Sequence, residues 1–147
     1  MTAQIQPVEV FDLVIFGGTG DLAQRKLLPA LFHRFADGQI AAGSRVIGIA
    51  RDPLDDVQYR ARVRMALERA LAAEALASAQ LEQFLGLLHY RALDATHDGG
   101  WSELAAMLPA AEERVRVFYL ATAADVVIPS FQRLRQRQNQ FVLIRPA

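Results

Sequence analysis

The residues best suited to chemistry stand where an apolar run gives way to a helical pattern: Gly17, Gly18, Thr19, Gly20, Asp21, Leu22, Ala23 and Gln24. Gly17, Gly20 and Ala23 have the G-x-x-G-x-x-A spacing of a turn that receives a dinucleotide pyrophosphate. At such a turn the ligand comes so close to the backbone that a Cβ would clash, and the helix that follows offers unpaired N–H groups and a partial positive charge. On this reading Gly17 makes the tight turn, Gly20 permits the close approach and Ala23 packs helix against strand. The Asp21 carboxylate repels phosphate, so its expected role is to cap the helix while its backbone N–H faces the ligand. The same glycines would also serve a strand-to-helix turn that binds nothing.

A second candidate is Arg51, which follows the apolar run Arg45 to Ala50. An NAD site usually places an acid there to accept from the ribose 2′-OH, whereas a guanidinium pairs with the 2′-phosphate of NADP. Asp52 comes next, so a shift of one residue reverses the preference, and a solvated surface arginine is the plainer alternative. The three histidines, His33, His89 and His97, are not paired in sequence with an acid, and no catalytic residue is assigned among them. No metal-ligand cluster, Ser-His-Asp grouping or P-loop lysine is present. Tyr59, Tyr90 and Tyr119 are followed four residues later by Val63, Asp94 and Ala123, which excludes the Tyr-x-x-x-Lys pair of a short-chain reductase.

The elements that must hold these residues alternate. Val8 to Phe16 reads as a strand buried on both faces, and Asp21 to Phe35 as a helix with Leu27, Ala30, Leu31 and Arg34 on one stripe, disturbed by Pro29 and stopped at Asp37-Gly38. Arg45 to Ala50 is a second strand. A long helix, capped by Asp55 or Asp56 and running to about Ala77, buries Val63, Leu67, Ala70 and Leu71. Another carries Leu81, Phe84, Leu85 and Leu88 at helical spacing. Strands at His89 to Leu93, Val115 to Ala121 and Phe141 to Ile144 alternate with helices near Gly100 to Leu108 and Ala124 to Arg137. This order predicts an α/β domain with a doubly wound, Rossmann-like parallel sheet of about five strands.

Composition narrows the partners. The chain has 147 residues, is 52% hydrophobic and balances 16 basic against 16 acidic residues, with no cysteine. Disulfide, zinc-thiolate and dithiol chemistry are thereby excluded, and zero net charge provides no basic field for nucleic acid or an anionic membrane. No signal peptide or run of about 18 apolar residues appears, so a cytoplasmic location is expected. Lys26 is the only lysine.

The string from Asp12 to Leu31, containing Gly17-Gly18-Thr19-Gly20-Asp21-Leu22-Ala23-Gln24-Arg25-Lys26-Leu27-Leu28-Pro29, resembles the opening of bacterial glucose-6-phosphate dehydrogenases. Val46 to Arg51, Leu93-Asp94-Ala95 and Val117 to Ala121 resemble later segments, and the likeness covers about 10 to 135. It implies NADP as cofactor, held by Gly17, Gly18, Thr19, Gly20, Asp21, Leu22, Ala23 and Gln24. Arg51 would take the 2′-phosphate, and Asp94 and Ala95 would lie near the cofactor. Lys26 would contact glucose 6-phosphate or remain a solvated helix lysine.

For the family the resemblance implies a cytoplasmic, oligomeric oxidoreductase that oxidises the sugar at C1 in the pentose phosphate pathway. The departures are equally specific. Ala123-Ala124 stand where the family has prolines, and Arg145-Pro146 stand near its E-K-P-x-G string. Residues 136–147 read as a degenerate counterpart or an unrelated tail. The family's substrate domain and catalytic histidine have no counterpart, so residues 1–147 are expected to form an NADP-binding domain that binds without turnover. A stand-alone NAD(P)-binding or redox-sensing module and a non-functional fragment are the alternatives.

Overall fold

The computed structural model describes residues 9–94, 101–108, 114–121 and 141–144. Five strands, β1 (Phe11–Phe16), β2 (Arg45–Ala50), β3 (Leu88–Ala92), β4 (Val115–Leu120) and β5 (Phe141–Ile144), form one sheet in the order β3-β2-β1-β4-β5. Every pairing is parallel. Chain order reverses at β1, whose neighbours are β2 and β4, and this switch point opens a crevice beyond the carboxyl ends of the strands.

Alternation along β1 divides the core in two. Leu13 and Ile15 belong to one apolar cluster with Phe32, Tyr59, Val63, Leu67 and Phe84, under α1 (Leu28–Ala36), α2 (Asp56–Ala70) and α4 (Ala79–Leu85). Val14 and Phe16 belong to the other, with Ile47, Ile49, Phe118 and Leu104 of α5 (Trp101–Met107). Helices therefore cover both faces, as a near-continuous apolar strand requires.

The first helix departs from its sequence pattern. Residues Ala23–Leu27 form a π turn in which the Leu28 N–H donates to the Ala23 carbonyl, five residues back. Pro29 has no N–H to offer and its ring crowds the preceding carbonyls, and widening the turn accommodates both. The buried face centres on Leu28, Pro29 and Phe32, with Leu27 and Leu31 partly buried against the same core, while Ala30 and Arg34 of the expected stripe are exposed.

The second long helix also ends early, at Ala70. Leu71 turns extended and packs against the core with Ala75 and Leu76, the latter two from α3 (Ala73–Leu76). Tertiary burial of these residues overrides a sequence that contains no helix breaker. Ala70 is exposed, and Tyr59 takes the expected core place beside Val63 and Leu67. Asp55 is the cap: its side chain accepts the Gln58 N–H at 2.8 Å, and its own N–H donates to the Gln58 side-chain oxygen at 2.9 Å. The helix expected at 124–137 lies outside the described residues.

At the opposite end of the sheet from the crevice, Asp12 is buried within β1. Its carboxylate accepts two bonds from Arg45 at 2.9 and 2.8 Å, one from Arg116 at 3.0 Å and one from Arg114 at 2.7 Å. Burial pushes its pKa up, but the hydrogen bonds from Arg45 and Arg116 and the charges of Arg45 and Arg114 outweigh it and hold the carboxyl below its ordinary value. The stabilisation is therefore present above the ordinary carboxylate range, about pH 4, and is lost as pH falls below it. Asp12→Asn leaves buried guanidinium groups facing a neutral amide. We expect it to cost about 3 kcal/mol or more and to lower the melting temperature by at least 6 °C, roughly, with the deficit shrinking toward acid pH. Thermal denaturation across pH 3 to 7, roughly, checks both.

Candidate functional site

The sheet gathers the sequence-derived candidates at one end. Gly17 leaves β1, Arg51 leaves β2, Asp94 follows β3 and Ala121 follows β4, all beyond carboxyl ends of the strands. Asp94 is half-buried, whereas Ala95, Ala123, Ala124, Arg145 and Pro146 lie outside the described residues.

Gly17 has φ of 85°, a conformation that favours glycine, and this bends the chain out of β1. Its N–H and that of Gly18 both donate to the Ile49 carbonyl, at 2.8 and 3.0 Å, which docks the turn on β2. Gly18 needs its missing side chain for internal packing: a Cβ there would lie 2.8 Å from Gly48 Cα and 3.0 Å from the Tyr59 hydroxyl. Gly20 differs. A Cβ on it would meet only the Gly17 carbonyl, at 3.2 Å, and its outer side is open.

The Gly20 carbonyl accepts the Gln24 N–H at 3.0 Å, so Gly20 heads the helix. Asp21 does not cap it. Its carboxylate forms an exposed ion pair with Arg25 at 3.0 Å, a contact worth little in solvent. Among the described residues, the N–H groups of Thr19, Asp21, Leu22 and Ala23 meet no acceptor. Ala23 is fully buried, while Gln24 turns its amide back to donate to the Gly18 carbonyl at 2.7 Å. An open glycine surface flanked by unsatisfied N–H groups fits a pyrophosphate.

Two residues that the sequence did not single out hold this turn and the loop after β2 in place. Tyr59, from α2, crosses the face of β2 and donates to the Gly18 carbonyl at 3.0 Å, through space that Gly48 leaves: a Cβ on Gly48 would lie 2.5 Å from the phenol. Tyr90 stacks on Tyr59, with ring centroids 4.9 Å apart, and donates to the Asp52 carbonyl at 2.6 Å. Each phenol therefore secures one of the two loops that face the crevice. Burial raises both hydroxyl pKa values, that of Tyr90 to about 12 with a further push from the Asp52 charge. Both remain protonated donors near neutrality. A glycine inside the apolar strand Arg45 to Ala50 was the available signal.

The loop after β2 separates Arg51 from Asp52. Arg51 is exposed and makes no ion pair among the described residues. The Asp52 carboxylate accepts the Thr19 hydroxyl at 2.5 Å and faces Arg62 at 3.6 Å. Lys26 is exposed on the π turn. His33 is exposed on α1, and His89, on the edge strand β3, faces Asp56 at 3.4 Å, so neither stands at the switch point. His97 lies outside the described residues.

The family model described as the NAD-binding domain of glucose-6-phosphate dehydrogenase matches residues 14–144. A glucose-6-phosphate 1-dehydrogenase of Rhizobium meliloti is 41% identical over 99% of this chain and 31% of its own length. One from Gluconobacter oxydans is 45% identical over 96% of this chain and 28% of its own. The chain thus spans about a third or less of these curated relatives. A solved glucose-6-phosphate dehydrogenase in complex with glucose 6-phosphate superposes on 97% of the chain and 31% of its own, with a TM-score of 0.77 and 26% identity. The Mycobacterium avium enzyme superposes on 93% of the chain and 29% of its own, with a TM-score of 0.78 and 25% identity.

The fit of Tyr59 into the gap at Gly48 predicts strong coupling between them. Gly48→Ala should cost about 1–3 kcal/mol by overpacking, and distinctly less when Tyr59 has already been replaced by Ala. A double-mutant cycle followed by urea denaturation measures the difference. Equal costs in both backgrounds would show that the phenol does not occupy that gap.

Proposed function

The chain belongs to the glucose-6-phosphate dehydrogenase family, and we propose that it is the region that binds NADP for oxidation of glucose 6-phosphate at C1. The observation that carries this reading is the glycine turn at the switch point, open at Gly20 and lined by N–H groups without acceptors. The family model supports a nicotinamide dinucleotide. When bound, the cofactor supplies the hydride acceptor.

This chain's residues would bind and orient it. Gly17, Gly18 and Gly20 shape the turn, the N–H groups of Thr19, Asp21 and Leu22 receive the pyrophosphate, and buried Ala23 packs the helix behind them, with the Gln24 amide bracing the Gly18 carbonyl. Arg51 favours NADP because its guanidinium is exposed, whereas the neighbouring acid is already engaged by Thr19. Asp94 and Ala95 are proposed to flank the cofactor, and Lys26 to reach a substrate oxygen. Among the described residues no helix is long and apolar enough to cross a membrane, and a cytoplasmic setting is part of the proposal.

Arg51→Ala should weaken NADP binding about tenfold to a hundredfold and leave NAD nearly unchanged, the worth of one charge-assisted contact of roughly 1.5–3 kcal/mol. Titration calorimetry with both cofactors checks this, and similar affinities for the two in the unsubstituted chain would overturn the role of Arg51.

We further propose that the 147-residue polypeptide binds without turnover, since the residues assigned here account for cofactor binding and include no base for the sugar hydroxyl. A steady-state assay of NADPH absorbance should show no glucose 6-phosphate oxidation at saturating substrate. Turnover that vanishes in Gly20→Val would demonstrate a complete active site.

A further inference from the structure

Strand β3 ends the sheet, so one side of it faces no other strand. Its ladder with β2 uses alternate residues: the Leu87 carbonyl accepts the Val46 N–H at 3.0 Å and the Leu93 N–H donates to the Ala50 carbonyl at 2.8 Å, which turns the polar groups of Leu88, Tyr90 and Ala92 outward. An edge of this kind pairs readily with another chain. Side chains cover it instead. The Tyr90 N–H donates to Asp56 at 2.7 Å, the Tyr90 carbonyl accepts from Arg91 at 2.7 Å, and the Leu88 carbonyl accepts from Arg60 at 2.9 Å. Asp56 and Arg60 stand one turn apart on α2, and His89 at 3.4 Å and Arg91 at 3.5 Å hold the Asp56 carboxylate in place. The cover ends at Ala92, which is exposed on the rim of a surface cavity of about 430 Å³ lined also by Leu54 and Val57.

We propose that Asp56, Arg60 and Arg91 keep this edge closed against a second copy of the chain, and that loss of Asp56 lets β3 pair with β3 of that copy. The partner follows from symmetry. Two copies related by a two-fold axis bring the same strand together antiparallel, with Tyr90 opposite the partner's Tyr90 and Leu88 opposite the partner's Ala92. Opposed residues of this kind exchange both an N–H and a carbonyl, and the outward groups of Leu88, Tyr90 and Ala92 supply all of them. Tyr90 is central to that ladder, and both of its polar groups are the ones that Asp56 and Arg91 now hold. The Tyr90 N–H can donate to Asp56 or to the partner, not to both, so the closed edge and the paired edge exclude each other. The inference does not depend on the dinucleotide reading, because it uses none of the groups assigned to the cofactor.

Sedimentation equilibrium of the unsubstituted chain, Asp56→Ala and Asp56→Asn, with folding checked by circular dichroism, tests this. Asp56→Ala should self-associate at least about tenfold more tightly than the unsubstituted chain, the effect of removing one charged acceptor from the cover. Asp56→Asn keeps an oxygen for the Tyr90 N–H and should stay within about twofold of the unsubstituted chain. Adding Ala92→Pro to Asp56→Ala should cancel the gain: proline has no N–H for the partner's Leu88 carbonyl, and at this outward-facing position it breaks no bond to β2. Arg60→Met combined with Arg91→Met uncovers both carbonyls, should also associate more tightly, and serves if Asp56→Ala does not fold. A merely structural role for Asp56 would lower the melting temperature without changing the association constant. Unchanged association in every folded variant that uncovers the edge, or a gain that Ala92→Pro does not cancel, overturns the inference.

Discussion

Asp12 lies in β1 with no solvent exposure, directly opposite Arg45 on one neighbouring strand and Arg116 on the other. A buried carboxylate left without its cations would carry a large desolvation penalty, and a one-residue slip of either neighbour would turn its arginine to the wrong face. The clasp therefore selects the register of the three central strands. Arg45 also donates to the Met107 carbonyl at 3.1 Å, which ties the end of α5 to the same point. The register then decides what happens at the far end of the sheet. Because Phe16 pairs with Ile49 and Leu120, the chain leaves β1 where the Ile49 carbonyl can hold Gly17 and Gly18.

Above that register the site depends on a gap. Gly48 removes a side chain from β2, Tyr59 fills the space, and the phenol reaches a carbonyl of the glycine turn. Tyr90 repeats the device on the next loop. The glycines thus divide their work: Gly18 and Gly48 are small for internal packing, Gly17 for its backbone angle, and Gly20 alone combines a small size with an open outer surface. The outer side of Gly20 is the part of the turn that the protein's own packing leaves unused.

Much of this was legible in the residue order. Strand and helix alternation, the parallel doubly wound sheet and the glycine turn all follow from local pattern, since each depends on residues a few positions apart. Helix faces were less legible. The π turn at Ala23–Leu27 changed the phase of the first helix, and burial of Leu71, Ala75 and Leu76 cut the second one short. Pro29 announced a disturbance but not that it would be met by a widened turn.

The sequence by itself determined the fold class and the positions of the glycine turn and of Arg51 beside it, because apolar periodicity, glycine spacing and charge are properties of short segments. Which of two adjacent residues is available to a ligand was decided only in three dimensions. Asp52 is clasped by Thr19, 33 residues earlier in the chain, while Arg51 stands exposed beside it. Asp21 likewise pairs with Arg25 because Gly20 already heads the helix. Contacts between distant residues compete for the same polar groups, and that competition is settled by the packed structure and not by the order of residues along the chain.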